Sequence, residues 1–192
     1  MIRLLHRRWR HRQGRRRCLA ALRQLRLLVL DVDGVLTDGG LWTTESGEVL
    51  KRFDVRDGLG IHLLQREGLE VAWLSGGKSG ATEQRARYLG IRHVLTGIGD
   101  KPAALADLQH SLGVSPQQTA FVGDDLNDLA VRPVVALLIA PSDGVAPLRR
   151  QADWVLDRPG GQGAVRRLAD EILRARQAWQ PLARSGWRDR ND

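Results

Sequence analysis

A small set of residues in this 192-residue chain could together move a phosphoryl group: Asp31 and Asp33, Ser75, Lys101, and Asp124 with Asp125 and Asp128. Asp31 and Asp33, two apart, share one side of an extended backbone. Carboxylates that close repel each other unless a cation or a shared proton compensates. A hard cation with oxygen ligands, most simply Mg²⁺, is the expected compensation, with Asp31, Asp33 and Asp124 as its candidate ligands. Asp31 would attack phosphorus and form an aspartyl-phosphate, splitting one hard displacement into two easier ones. Asp33 would protonate the leaving alcohol and later deprotonate the attacking water. Lys101 and Ser75, with backbone N–H groups near Gly34 and Gly76, would hold the equatorial oxygens where charge gathers in the transition state. Asp125 and Asp128 support the set, Asp128 by orienting Lys101 or a metal-bound water. No Ser/His/Asp triad is suggested, and the five histidines lack metal-ligand spacing.

These residues do chemistry only if the elements between them place them on one edge. Leu27 to Leu30 is a run of branched aliphatics that ends in Asp31-Val32-Asp33-Gly34, and it reads as a strand buried on both faces. Two short β-type runs then flank Glu45-Ser46-Gly47, a hairpin signal. Asp54 to Gly58 reads as a polar turn before a short helix ended at Gly68. Leu69 to Leu74 is the next core strand, with Ser75-Gly76-Gly77 at its carboxyl end. The spacing predicts a helix over 79–89, a strand at His93-Val94-Leu95, and a helix opened by Asp100-Lys101-Pro102, with Asp as cap and Pro in the first turn. Thr119 to Val122 is a strand ending in Gly123-Asp124-Asp125-Leu126-Asn127-Asp128. Val134 to Ile139 and Trp154 to Leu156 add two more strands, and a helix over 163–178 closes the unit. Strand and helix alternating throughout predict an α/β fold, a doubly wound parallel sheet, whose strand carboxyl ends carry the site.

Bulk composition narrows the alternatives. No run approaches the roughly 18 apolar residues of a membrane span. The single Cys18 excludes an internal disulfide framework and suits a reducing, cytoplasmic compartment. Of the 30 basic residues, 10 lie in residues 1–26 without one acid, so the other 20 face all 22 acidic groups. Residues 27–178 therefore form a mildly acidic domain, and the charge gives no general case for nucleic-acid binding. Residues 1–26 could be a solvated arm, an electrostatic tether, or sequence upstream of the true start. The disordered arm is preferred, because without apolar periodicity such a segment has little to bury. The tail over 179–192 reads as frayed.

The quoted motifs carry a resemblance. Asp31-Val32-Asp33-Gly34-Val35-Leu36-Thr37-Asp38, Ser75, Lys101 and Gly123 to Asp128 resemble the four motifs of haloacid-dehalogenase-like phosphatases. The stretches Val55 to Ile61 and Gly160-Gly161-Gln162-Gly163 are similar to their capless branch, the 3-deoxy-D-manno-octulosonate 8-phosphate phosphatases of lipopolysaccharide biosynthesis. The resemblance spans residues 27–178. It implies a phosphorylated sugar acid as substrate, with contacts from Asp54, Val55, Arg56, Asp57, Gly58, Arg85 and Lys101. Gly77, His62 and Gln162 stand where that family usually has arginines, some of which help hold the acid's carboxylate. A 9-phosphorylated nonulosonate is thus an alternative substrate, and an idle binding module that keeps the fold is a further one.

Spacing alone leaves no room for a cap domain, either between Asp33 and Ser75 or between Lys101 and Asp124. Water must then be excluded by something else, and a second subunit is the expected source. The family's tetramers, built on the hairpin, imply the same. The glycines of Gly160 to Gly163, or Arg166 and Arg167 after them, are the expected contribution of a neighbouring subunit.

Overall fold

A computed structural model describes residue 14 and residues 16–186. Its centre is β1 (Leu27–Leu30), whose four side chains are fully buried. Next come the hairpin strands β2 (Trp42–Thr43) and β3 (Val49–Leu50), then the helix α2 (Val55–Arg66) and β4 (Glu70–Leu74). They are followed by α3 (Gly80–Tyr88), β5 (His93–Leu95), α4 (Lys101–Leu112) and β6 (Thr119–Val122). A 3-10 segment (Leu126–Val134), β7 (Leu137–Ala140), α5 (Ala146–Gln151), β8 (Trp154–Val155), α6 (Ala164–Ala175) and α7 (Trp179–Ser185) complete the order. The main sheet runs β5-β4-β1-β6-β7-β8, parallel at every pairing.

Alternating side chains of β1 serve two layers, as the pleat requires. Leu28 and Leu30 pack with Ile61 and Leu64 of α2 and with Leu168 and Ile172 of α6. Leu27 and Val29 face Leu105 and Leu108 of α4 on the other side. From β1 the chain moves out to β4 and β5, then returns to β6 on the opposite flank. The carboxyl end of β1 is therefore where the connections diverge, and a crevice opens there. Only the hairpin and α2 lie between β1 and β4, and only a short 3-10 turn lies between α4 and β6, so no cap domain is present among the described residues.

Several expectations are corrected. Residues 16–24 form a helix, here α1, not a disordered arm. Cys18, Leu22 and Leu25 are buried in the core, at a spacing of four and three that marks one helical face. That periodicity is present among the arginines and is masked by them. Burial also pushes the Cys18 thiol up to about 11, which leaves it inert. The expected arm over residues 1–13 and at residue 15 lies outside the described residues, as does the tail over 187–192. Between them, α7 is helical rather than frayed, with Trp179 and Leu182 packed against the core. Asp54 to Gly58 is not a turn, because Asp54 caps α2 by accepting from the Arg56 N–H at 2.8 Å and the helix starts at Val55.

Gly160 and Gly161 pack against a loop of their own chain. The Gly161 N–H donates to the Val35 carbonyl at 2.9 Å, and a Cβ at either glycine would overlap the backbone of the chain's own Gly34–Asp38 loop. Arg166 pairs with Asp170 at 2.8 Å, and Arg167 pairs with Asp157 at 3.2 Å and Glu171 at 3.1 Å. Gly160 and Gly161 thus brace the site loop from within the chain, while the two arginines pair on and beside α6.

Candidate active site

The sheet edge collects the predicted acids into one cleft of about 540 Å³, lined by Asp31, Asp33, Gly34, Gly39, Ser75, Gly76, Gly77, Asp124, Asp125 and Asn127. Asp31 sits directly after β1, and its N–H still donates to the Val122 carbonyl at 2.9 Å, so the sheet itself fixes its position. One carboxylate oxygen accepts from the Val32 N–H at 2.7 Å, and the other meets the Lys101 Nζ at 3.1 Å. Lys101 opens α4 behind its Asp100 cap and is itself buried. Its second partner is Asp128, at 2.6 Å.

Asp128 is completely buried and spends its other oxygen on the N–H groups of Asp124, at 2.9 Å, and Asp125, at 3.3 Å. It therefore orients Lys101 and the Asp124 loop together. Asp125 accepts from the Leu126 N–H at 2.6 Å and caps the 3-10 segment. Ser75 is buried at the end of β4, where its Oγ accepts from the Gly77 N–H at 3.2 Å. Gly34 has φ +83°, and a Cβ there would overlap the Asp124 carboxylate; only glycine lets this loop close on its neighbour.

Electrostatics follow from burial. Desolvation, with Asp128 adding to it and Lys101 opposing, pushes the Asp31 carboxyl up to about 6. Desolvation, with Asp128 and Asp31 nearby, pushes Asp124 up to about 7. Burial works against the Lys101 charge, but Asp31 and Asp128 outweigh it and hold its pKa above the usual lysine value. The site has more anionic capacity than one ammonium can neutralise.

A divalent cation fits that surplus. Carboxylate oxygens of Asp31, Asp124 and Asp128 lie within 4.8 Å of one another, and the buried Asp124 Oδ1 has no hydrogen-bond partner. Asp31 and Asp124 could hold Mg²⁺ through oxygen, whereas both Asp128 oxygens already have donors. The carboxylate of Asp33, expected among the ligands, is instead paired with Lys51 at 2.8 Å. Lys51 and Asn127 are the residues that sequence reading missed. Asn127 lies inside a motif already quoted, while Lys51 follows a surface hairpin with no sign that its side chain turns inward.

The expected substrate contacts at Asp54, Val55, Arg56, Asp57, Gly58 and Arg85 do not line this cleft. Arg56 is held by Asp54, and the hydrogen bond with its guanidinium lowers the Asp54 carboxyl below the usual carboxylate range. Asp57 is buried and accepts from the Arg166 N–H at 2.7 Å, latching α6 onto α2. Arg85 lies over the Tyr88 ring, 5.4 Å from its centre, and the missing Cβ of Gly58 leaves room for its guanidinium.

Comparison with known proteins adds to this geometry. No protein-family model matches the chain. The 3-deoxy-D-manno-octulosonate 8-phosphate phosphatase KdsC of Escherichia coli is 43% identical over 157 residues, covering 82% of this chain and 84% of that protein. The crystal structure of the corresponding phosphatase from Yersinia pestis superposes with a TM-score of 0.83 at 40% identity, covering 84% of this chain and 88% of that one. The phosphatase from Moraxella catarrhalis, solved with magnesium, phosphate and a KDO molecule, gives a TM-score of 0.86 at 32% identity, covering 89% and 98% of the two chains.

Proposed function

The chain belongs to the family of 3-deoxy-D-manno-octulosonate 8-phosphate phosphatases, haloacid-dehalogenase-like hydrolases, and we propose that it hydrolyses that sugar phosphate in a Mg²⁺-dependent reaction. The observation that carries the reading is the row Asp124, Asp31, Lys101 and Asp128, held at the end of β1 by sheet and helix-cap hydrogen bonds.

In this reading an Asp31 oxygen attacks phosphorus while Lys101, steadied by Asp128, and Ser75 take the equatorial oxygens. Bound between Asp31 and Asp124, Mg²⁺ would supply charge that offsets repulsion between the carboxylates and the phosphate dianion. Asp33 gives its proton to the leaving 8-oxygen as the P–O bond breaks. It then takes a proton from the water that attacks the phosphoryl group on Asp31, releasing inorganic phosphate. Asp125 keeps the Asp124 loop in place.

The working unit is residues 16–185, with α7 packed on the core. The open cleft calls for a second subunit, and the hairpin offers Leu41, Trp42 and Leu50, all more than half exposed, as the contact for a tetramer. The exposed Arg56 and its neighbours on α2, together with Arg85, would then serve substrate at the assembled mouth. A cytoplasmic location suits a substrate whose charge bars it from crossing a bilayer.

The test is phosphate release from 3-deoxy-D-manno-octulosonate 8-phosphate and from a nonulosonate 9-phosphate, each with Mg²⁺ and with chelator. Preferred Mg²⁺-dependent release from the octulosonate supports the reading. Preference for the nonulosonate, or release that survives chelation, overturns it.

A further inference from the structure

Lys51 follows β3 on the hairpin, a position from which a lysine ordinarily extends into solvent. Its side chain is instead 3% exposed, and its Nζ lies 2.8 Å from both Asp33 oxygens. The remaining contact is with the Thr82 Oγ1 at 3.2 Å, a buried hydroxyl in the first turn of α3. Burying an ammonium and ordering its four-carbon stem are both costly, so a lysine stays in such a place only where partners answer its charge. Here one partner is the single cleft acid proposed to carry protons.

Asp33 needs such a partner. Its side chain is 36% exposed, and its other polar contact among the described residues is a long 3.5 Å one from the Thr37 hydroxyl. On its other side the Gly77 backbone comes so close that a Cβ would stand 3.2 Å from Asp33 Oδ2. Without Lys51 the carboxylate could rotate out of the cleft, away from the negative Asp31 and Asp124. Proton transfer requires a heavy-atom approach of about 2.6–3.2 Å, so such rotation would remove general acid–base help without disturbing the nucleophile.

We propose that Lys51 is a positioning residue for Asp33: its ammonium, seated on Thr82, holds the general acid–base carboxylate facing the leaving-group oxygen. The inference rests on the role given to Asp33 above. The proton moves only between Asp33, the leaving oxygen and water. The hairpin that offers an apolar face for assembly is thereby joined through one side chain to the proton donor.

The experiment compares a sugar phosphate, whose alkoxide leaves poorly, with p-nitrophenyl phosphate, whose phenolate needs no proton. Lys51→Met should lower the rate of the first, alcohol-releasing step on the sugar phosphate, followed in a single turnover, by about 10²-fold, near the lower end of what general acid–base help is worth, with KM little changed and a much smaller loss in the p-nitrophenolate burst, because dephosphorylation of Asp31 is common to both substrates. Thr82→Val should show the same leaving-group bias more weakly, which keeps the test open if Lys51→Met folds poorly. In an Asp33→Asn background Lys51→Met should cost nothing further. Equal losses on both substrates, a rise in KM alone, or additive losses in the double variant would mean that Lys51 only anchors the hairpin. If the wild type turns over neither ester, the proposed function fails first, and that result is separate from any of these.

Discussion

Asp31 and Asp57 are both buried carboxyls that desolvation pushes up to about 6, yet they belong to different constructions. Asp31 ends a central strand, opens onto a cleft, and shares its field with Asp128, Lys101 and Asp124. Asp57 is buried between α2 and α6, takes the Arg166 N–H, and does not line that cleft. A raised carboxyl is thus a clue to chemistry only when a cleft and a charge partner accompany it. In the helical layer the same shift reports the cost of a latch.

The sharpest way to break this comparison is to neutralise each acid in turn. Asp31→Asn should remove essentially all turnover with the fold intact, since both the nucleophile and a metal ligand are lost; more than a few per cent of wild-type kcat would refute the assignment. Leu22→Ala, in the layer behind, should cost about 2–5 kcal/mol of stability in denaturant melts, because that side chain is fully buried, while kcat/KM stays unchanged. A melt unchanged by this substitution would return residues 16–26 to the status of an arm. Asp57→Ala should cost less, about 1–3 kcal/mol, by leaving the Arg166 N–H unanswered, again with little effect on kcat. A large loss of kcat with an unaltered melt would instead make Asp57 a functional residue.

The smallest effect separates the regions by pH. A carboxyl raised above its usual 3.8 binds its proton more tightly in the folded state, so its stabilisation is complete below about 3.8 and lost as pH rises through the folded value. For Asp31, Asp57 and Asp124 that loss runs through about 6 to 7, and the metal-free protein should melt lower on the alkaline side. Mg²⁺ should restore stability more at about pH 8 than at about pH 5, because it competes with protons for Asp31 and Asp124. Asp57→Asn should flatten the metal-free pH dependence and leave the Mg²⁺ increment as it was. An increment equal at both pH values would contradict binding at the raised pair.

The same division separates what the sequence makes legible from what it hides. Strand ends are legible because a buried parallel strand is a continuous apolar run and its ligand-bearing loop follows immediately: Leu27 to Leu30 leads straight into Asp31, and Thr119 to Val122 into Gly123-Asp124. Capping was legible too, since Asp100 and Pro102 carry local signals at the start of α4. What escaped depends on distant partners. Cys18, Leu22 and Leu25 keep helical spacing, but the arginines between them dominate the composition. Lys51 reads as surface until Asp33 and Thr82 are seen to close on it. Gly160 and Gly161 were legible as sites of close approach, whereas the backbone they approach, their own Gly34–Asp38 loop, was not.

The central claim is that phosphate passes through Asp31. A single turnover with radiolabelled sugar phosphate and Mg²⁺, quenched in acid and followed by peptide mapping, tests it directly. The account predicts transient label on the peptide containing Asp31, gone at long times, absent in Asp31→Asn and longer-lived in Asp33→Asn. Phosphate release at the wild-type rate from Asp31→Asn, or label on any other residue, would contradict it.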